Sequence, residues 1–132
     1  MKISPADTAF SKCIREANNY TCEMCGKDGR MECSHVYSRR HRTIRWCKDN
    51  AKSLCNGCHR KWHESPVAAF KWFEGKYGSG RVELLIEQMN NKTKVSKLEE
   101  KDIAKHYREQ LKIIEGKRAD GETGYIDFVS WQ

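Results

Sequence analysis

Two pairs of cysteines in this sequence have the spacing of a metal-binding turn. Cys22 and Cys25 form one Cys-x-x-Cys unit, and Cys55 and Cys58 form a second one. Two thiolates of one tight turn can reach the same ion at about 2.3 Å, and two such turns supply the four ligands of a tetrahedral zinc site. The spacing therefore predicts a structural zinc ion held by these four cysteines.

Other ligand sets are compatible with the sequence. One set combines two thiolates with two imidazoles and consists of Cys22, Cys25, His35 and His41. Its middle spacer has 9 residues, whereas about 12 is usual. In another set, Cys33 or Cys47 replaces a thiol of one pair. We rank the two Cys-x-x-Cys pairs first, because chance rarely places both in one short chain with reduced thiols.

Three histidines and one asparagine form a second group of chemical interest. His59 and His63 are four residues apart, so on a helix both imidazoles lie on one face and can hold one divalent ion. His35 and Asn50 precede them, which gives the order His, Asn, His beside the second cysteine pair. An unperturbed histidine titrates near pH 6.5, so a histidine in such a group can act as a general base.

Positive charge is concentrated around these histidines. The chain has 25 Lys and Arg against 18 Asp and Glu, a formal net charge of +7, which fits a polyanion such as DNA. Five cations follow His35 within a short stretch, and two more follow Cys58. We expect these seven to contact DNA phosphates with limited sequence specificity: Arg39, Arg40, Arg42, Arg45, Lys48, Arg60 and Lys61.

Helices and short strands must position these groups. Ser4 can cap a first helix with Pro5 in its first turn, and apolar residues continue at helical spacing to about residue 18. Residues 20–63 have poor periodicity and contain six of the seven cysteines. They predict strands at 33–37 and 51–54 and a helix that begins near Cys58.

The remainder of the chain reads as helical. The pattern predicts helices over 66–75 and 82–89 with a loop at 77–80 between them. A Ser96-x-x-Glu99 capping box begins a long helix that continues to about residue 115. The final YIDFVSW stretch predicts an edge strand or a docking peptide.

The region from Cys22 to His63 resembles the HNH endonucleases of the ββα-metal fold, in their zinc-containing branch. The strings CSHVYSRRHRTIRW and DNAKSLCNGCHRKWHESP carry this resemblance, and they are also similar to small phage proteins of the family linked to recombination. The resemblance implies an α+β fold with a small ββα-metal core held by a four-cysteine zinc site. An N-terminal helix and C-terminal helices flank this core.

The chain length and the family resemblance together predict a domain organisation. The length of 132 residues argues for one small domain with an appendage, and it excludes a dinucleotide-binding fold with a second catalytic domain. We expect the nuclease domain over 1–75, including the N-terminal helix and the cysteine pairs. A helical extension follows over 76–117, and a tail over 118–132.

The resemblance also implies roles for individual residues. His35 would be the general base that takes a proton from the attacking water, and Asn50 would brace the loop that holds His35. His59 and His63 would hold one catalytic ion, Mg²⁺, Mn²⁺ or Ni²⁺, that polarises the scissile phosphate and stabilises the leaving 3′ oxygen.

One position departs from the family pattern. Many HNH sequences place an Asp ligand directly before the first histidine, and here that residue is Ser34. A hydroxyl is a poor ligand, so we expect weak binding of the catalytic ion in the absence of DNA. Asp49 could compensate, and His41 is a further candidate ligand or base.

The expected function is a metal-dependent DNA endonuclease or nickase that hydrolyses phosphodiester bonds with a histidine base and one divalent ion. One alternative is a structure-selective nuclease for branched recombination intermediates, for which a homodimer is expected. Another is a non-catalytic zinc-containing module that binds DNA or a protein, the protein through the C-terminal helix or tail. The chain lacks a membrane-spanning apolar run and a secretory signal, so we expect no membrane partner and a cytoplasmic location, in the bacterial host if phage-encoded.

Overall fold

Five α-helices and one two-stranded sheet make up the computed structural model, which describes residues 2–91 and 93–131. The α+β class predicted from the sequence is therefore confirmed. In chain order the elements are α1 (Pro5–Ala17), β1 (Glu32–His35), a short 3-10 turn (Lys48–Asn50), β2 (Ala51–Leu54), α2 (Asn56–Glu64), α3 (Pro66–Tyr77), α4 (Ser79–Asn90) and α5 (Lys97–Ala119).

The sheet is a small antiparallel pair. Glu32 pairs with Leu54 and His35 pairs with Ala51, so the two predicted strand regions are adjacent. All four residues of β2 are buried. The loop between the strands is tied at its base, where the Val36 N–H donates to the Asn50 carbonyl at 2.9 Å. The chain then passes from β2 into α2 through a single residue.

Local capping explains where α1 begins. The Ser4 hydroxyl accepts from the Asp7 N–H at 3.2 Å, and the Ser4 N–H donates back to the Asp7 carboxylate at 2.9 Å. This reciprocal pair satisfies two N–H groups at the helix terminus. The apolar stripe predicted for this helix is buried as expected, and it comprises Ala6, Phe10, Cys13, Ile14 and Ala17.

The long C-terminal helix shares its core with the first helix. Tyr107 is fully buried, with its ring centroid 4.9 Å from that of Phe10. The Cys13 thiol donates to the Tyr107 carbonyl at 3.1 Å. α5 thus packs against the N-terminal helix. A second core joins β2 to α2, α3 and α4 and contains Ile44, Leu54, Trp62, Phe73 and Leu85.

Several predicted boundaries differ from the structure. α3 continues past Gly75 to Tyr77, and the break falls at Gly78, whose φ of 90° suits glycine. Ser79 and Gly80 then begin α4, so the predicted loop is reduced to one residue. α2 begins two residues before Cys58, at Asn56, and α5 ends four residues beyond 115.

The C-terminal tail docks on its own chain. It forms no strand within the described residues; instead the Ile126 N–H donates to the Ala17 carbonyl at 2.9 Å. The Lys48 ammonium lies 2.6 Å from the Asp127 carboxylate. Ile126 and Phe128 are each 5% exposed, so the segment completes the core between α1 and α5. Within the described residues, none of the helices combines the length and apolar character needed to cross a membrane.

Candidate metal centre and active-site cleft

The four cysteines of the two Cys-x-x-Cys units converge. The sulfur atoms of Cys22, Cys25, Cys55 and Cys58 all lie within 4.8 Å of one another. The Cys25 and Cys55 sulfurs are 3.8 Å apart, which is about the edge of a tetrahedron with 2.3 Å zinc–sulfur bonds. The donor set and its spacing therefore fit a zinc ion, as the sequence predicts.

Backbone geometry brings the two cysteine turns together. The Gly26 N–H donates to the Cys22 carbonyl at 2.9 Å, and Gly26 has a φ of 76°, so this turn needs glycine. Gly57, in the second Cys-x-x-Cys unit, instead lies in the first turn of α2 and is not among the glycines with a positive φ. Cys55 caps that helix by accepting from the Cys58 N–H.

A carboxylate joins the first cysteine turn to the sheet. The Glu23 N–H donates to the Ser53 carbonyl at 2.9 Å, and the Ser53 N–H donates to the Glu23 carboxylate at 2.7 Å. Tyr77 adds a third bond, with its hydroxyl donating to the other carboxylate oxygen at 2.7 Å. Glu23 thus fixes the position of the first turn relative to β2 and α3.

Electrostatics at the cysteine cluster favour a cation among the sulfurs. Burial raises the pKa of Cys22, but backbone N–H groups of Cys25, Cys55 and Met24 outweigh it and lower that pKa to about 7. Burial raises the pKa of Cys58 to about 12, and hydrogen bonds with the neighbouring cysteine sulfurs add to this effect. Four thiolates this close repel one another unless a cation lies between them.

The alternative zinc ligands lie elsewhere. His35 hydrogen-bonds to the Arg45 carbonyl, and His41 is exposed on the loop after β1. Cys33 packs in the core under α1, and the Cys47 thiol faces Gln88. Only the paired set groups four ligand atoms among the described residues.

A separate open cleft, with a volume of about 870 Å³, contains the histidines. α1 contributes Thr8, Ser11 and Arg15 to its lining, and α2 contributes His59, Trp62 and His63. His35 is the last residue of β1, and Val36, Arg39 and Arg40 come from the loop that follows it. The fold thus places the predicted base, the histidine pair and two predicted DNA-binding cations around one space.

His59 and His63 present two nitrogen atoms together. Their Nε2 atoms are 3.1 Å apart, one helical turn from each other on α2. Two nitrogen ligands about 2.1 Å from one ion and at right angles are about 3.0 Å apart. The pair therefore fits adjacent positions around a divalent ion.

Glu32 sets the orientation of His59, a role that its sequence context did not indicate. The Glu32 carboxylate lies 2.8 Å from His59 Nδ1. A carboxylate accepts, so Nδ1 carries the proton and Nε2 keeps its lone pair for a metal. The hydrogen bond from His59 also lowers the pKa of Glu32. The one available signal was its place three residues before His35, directly ahead of the strand predicted at 33–37.

A hydrogen bond to the backbone fixes the tautomer of His35. Its Nε2 lies 3.0 Å from the Arg45 carbonyl, which can only accept, so the neutral ring carries its proton on Nε2. Nδ1 then has a free lone pair. Burial lowers the pKa of His35 to about 4, so the imidazole is neutral at pH 7. The Trp62 indole N–H donates to the His35 carbonyl at 3.2 Å and ties α2 to this strand.

Asn50 lies at the base of the loop that follows His35. It is fully buried, and its Oδ1 accepts from the Tyr37 N–H at 2.8 Å. Its Nδ2 donates to the carbonyls of Tyr37, at 3.0 Å, and Ile44, at 3.1 Å. This arrangement suits the bracing role that the family resemblance implies.

Ser34 and Asp49 lie outside the cleft lining. Ser34 is fully buried, and its hydroxyl has no hydrogen-bond partner within the described part of the chain. Asp49 instead forms an ion pair with Arg81 at 3.3 Å. Asp7 is the carboxylate in the cleft lining, and Arg45 engages both of its oxygens.

The seven predicted DNA-binding cations fall into two groups. Arg39 and Arg40 line the cleft, and Arg60 and Lys61 are exposed on α2. The other three stabilise the fold through ion pairs: Arg42 with Glu100, Arg45 with Asp7, and Lys48 with Asp127.

Comparison with protein-family models finds no match for the chain. Comparisons with curated proteins and with solved structures find none either. The geometry of the two sites therefore carries the functional argument.

Proposed function

We propose that the protein is a metal-dependent DNA endonuclease or nickase. The observation that carries this proposal is the convergence of His35, His59 and His63 on one cleft, with the two α2 nitrogens 3.1 Å apart. On this proposal β1, β2 and α2 form the ββα core expected from the HNH resemblance. The cysteine cluster, which lies in the same region, would hold the zinc ion that stabilises this core.

The proton transfer falls to His35. In the proposed reaction a water oxygen attacks the phosphorus, and its proton passes to His35 Nδ1. A new P–O bond forms as the bond to the 3′ oxygen breaks, and that oxygen leaves with a proton from solvent. The bond from Nε2 to the Arg45 carbonyl holds the ring in the tautomer this step requires.

His59 and His63 would hold the divalent ion. Such an ion supplies positive charge that offsets the negative charge developing on the phosphate and leaving oxygen. The protein offers two nitrogens at this place, and the carboxylate of Asp7 is occupied by Arg45. The remaining ligands would come from water and from the DNA phosphate itself.

Two pairs of cations would hold the DNA. Arg39 and Arg40 lie at the cleft, and Arg60 and Lys61 project from α2 beside the histidine pair. Phosphate contacts of this kind position the backbone without reading the bases. We therefore expect cleavage with little sequence preference.

A plasmid assay tests the proposal. Zinc-loaded protein is incubated with supercoiled plasmid without added metal and then with Mg²⁺, Mn²⁺ or Ni²⁺. We expect nicked or linear DNA with at least one ion. His35→Gln should abolish cleavage with zinc content unchanged, because glutamine can still donate to the Arg45 carbonyl but cannot accept the proton.

His41→Gln is the matched control, since His41 is exposed on the same loop and outside the cleft lining. It should cleave like the wild type. Absence of cleavage with every ion, on plasmid and on branched DNA, would contradict the proposal. If salt-sensitive DNA binding persisted in that case, the chain would be a non-catalytic zinc-containing binding module.

A further inference from the structure

α1 presents a polar stripe to the cleft that the proposed chemistry does not use. Thr8, Ser11 and Arg15 line the cleft from α1, and His59 and His63 line it from α2. Their spacing of three and four residues places them on one face of the helix. The apolar face of the same helix is buried against α5, so the direction of the stripe is fixed by the core.

The chemistry of this stripe matches a phosphate backbone. Hydroxyl and guanidinium groups are common phosphate contacts in protein–DNA complexes. The Arg15 Nε donates to the Ser11 carbonyl at 3.2 Å, which holds the side chain along the helix. Asp7 is the one carboxylate among the described residues that line the cleft, and Arg45 neutralises it. Arg15, Arg39 and Arg40 therefore leave the cleft positively charged.

Arg15 and Arg39 lie at different positions along α1. Arg39 lies 3.7 Å from Asp7, near the start of the helix. A helix rises 1.5 Å per residue, so Arg15 is about 12 Å further along α1 than Asp7. The Arg15 side chain runs back along the helix to the Ser11 carbonyl, so its guanidinium lies nearer to Asp7 than this rise of the backbone. The His35 ring lies 6.1 Å from that of Phe10, which is between Asp7 and Arg15 on α1.

We propose that Arg15, with the hydroxyls of Thr8 and Ser11, forms a second DNA-backbone site on α1. It binds a phosphate of the cleaved strand other than the scissile phosphate. Arg15 is then a positioning residue that fixes the path of the strand across His35. This inference rests on the proposed nuclease function for the identity of the strand.

Salt dependence of DNA binding tests the site directly. The probe is a fluorescein-labelled 20-base-pair duplex, titrated by anisotropy at several salt concentrations without added divalent ion. Loss of one phosphate contact lowers the slope of log K against log salt by about 0.9. We expect this reduction, and several-fold weaker binding, for Arg15→Gln.

Lys12→Gln is the matched control. Lys12 carries the same charge on the same helix, but it is exposed and outside the cleft lining. Its slope should match the wild type, and Arg15→Lys should recover most of the Arg15→Gln loss because the charge is restored. Equal slopes for Arg15→Gln and Lys12→Gln would overturn the proposal, as would a failure of lysine to restore binding in a folded variant.

The outcome separates this inference from the nuclease proposal. If no ion supports cleavage but Arg15→Gln still lowers the slope of log K against log salt, the α1 site is supported and the nuclease proposal fails. If plasmid is cleaved and Arg15→Gln behaves like Lys12→Gln, the enzyme function stands and the α1 site is refuted. In an active enzyme, Arg15→Gln should raise KM more than it lowers kcat.

Discussion

The side-chain amide of Asn50 hydrogen-bonds to both the N–H and the carbonyl of Tyr37. Its Oδ1 accepts from the Tyr37 N–H at 2.8 Å, and its Nδ2 donates to the Tyr37 carbonyl at 3.0 Å. A third bond reaches the Ile44 carbonyl at 3.1 Å. One buried amide therefore closes the loop that carries Arg39 and Arg40, directly after His35.

Asn50→Asp should destabilise the protein by at least about 2 kcal/mol. Aspartate can still accept from the Tyr37 N–H, but it cannot donate to the two carbonyls and it buries a charge. Urea denaturation of zinc-loaded protein measures the change. Asn90→Asp, on the exposed end of α4, should cost less than about 1 kcal/mol. Equal midpoints for the two variants would contradict the bracing role of Asn50.

Signals within a few residues of sequence predicted much of the fold. The caps at Ser4 and Ser96 and the spacing of the cysteine pairs are local, and each is present in the structure. Partners distant in sequence were not predictable in this way. Arg45 was expected at the DNA surface, but it is buried against Asp7, 38 residues away. Glu32 and His59 are similarly joined only by the pairing of the strands.

The tail shows the same limit. YIDFVSW has the apolar alternation of an edge strand or of a peptide that docks on a partner. Which surface it covers depends on the groove between α1 and α5, which a linear pattern does not reveal. Ile126 and Phe128 fill that groove in the chain itself.

Asp7→Asn should cost about 3–5 kcal/mol of stability. Arg45 is 5% exposed and donates from Nε to the Asp7 carboxylate at 2.9 Å, and Trp46 donates to the same oxygen at 3.1 Å. Burial raises the pKa of Asp7, but hydrogen bonds from Arg45 and Ser4 lower it overall. The substitution leaves a buried guanidinium without its counter-charge. Thermal and urea unfolding measure the loss.

The exposed ion pair of Asp49 with Arg81 supplies the control for that measurement. Its carboxylate and guanidinium are 42% and 37% exposed, so Asp49→Asn should cost less than about 1 kcal/mol. A similar small loss for Asp7→Asn would show that the Asp7–Arg45 pair contributes little to the fold.

Zinc removal should unfold the region around the cysteines. Structural zinc sites typically contribute about 10 kcal/mol or more of binding free energy, which is available only to the folded chain. We expect one zinc per chain, and a chelator should lower Tm sharply. Cys58→Ser should lose the metal, whereas Cys47→Ser should retain it because Cys47 lies outside the cluster. Equal zinc content in both variants would refute the four-cysteine site.

Binding of a second divalent ion should be weak without DNA and should depend on Glu32. Two imidazole nitrogens are a small ligand set, and the Glu32 carboxylate at 2.8 Å orients one of them. Loss of such a carboxylate typically weakens metal binding 10–100-fold. Ni²⁺ titration of zinc-loaded protein should show this loss for Glu32→Ala and not for Glu83→Ala, an exposed residue of α4. Tight binding by the free protein, or equal affinities in both variants, would contradict the prediction.

Stability should fall on acidification between about pH 6.5 and pH 4 because of His35. Burial lowers the pKa of His35 to about 4, while the unfolded chain binds a proton near pH 6.5. Within that window the unfolded state holds more protons, so stability rises with pH and is lost as pH falls. The full shift corresponds to up to about 3 kcal/mol. Three charged groups also act on the pKa of His35: the charge of Asp7 raises it, and the charges of Arg39 and Arg45 lower it.

The comparison with His35→Gln isolates this effect. Every other group of the chain is the same in both proteins. We therefore measure the difference in unfolding free energy between wild type and His35→Gln at pH 7 and at pH 4.5. The wild type should lose more stability than the variant on acidification. An identical loss in both would show that burial does not lower the pKa of His35 in the folded protein.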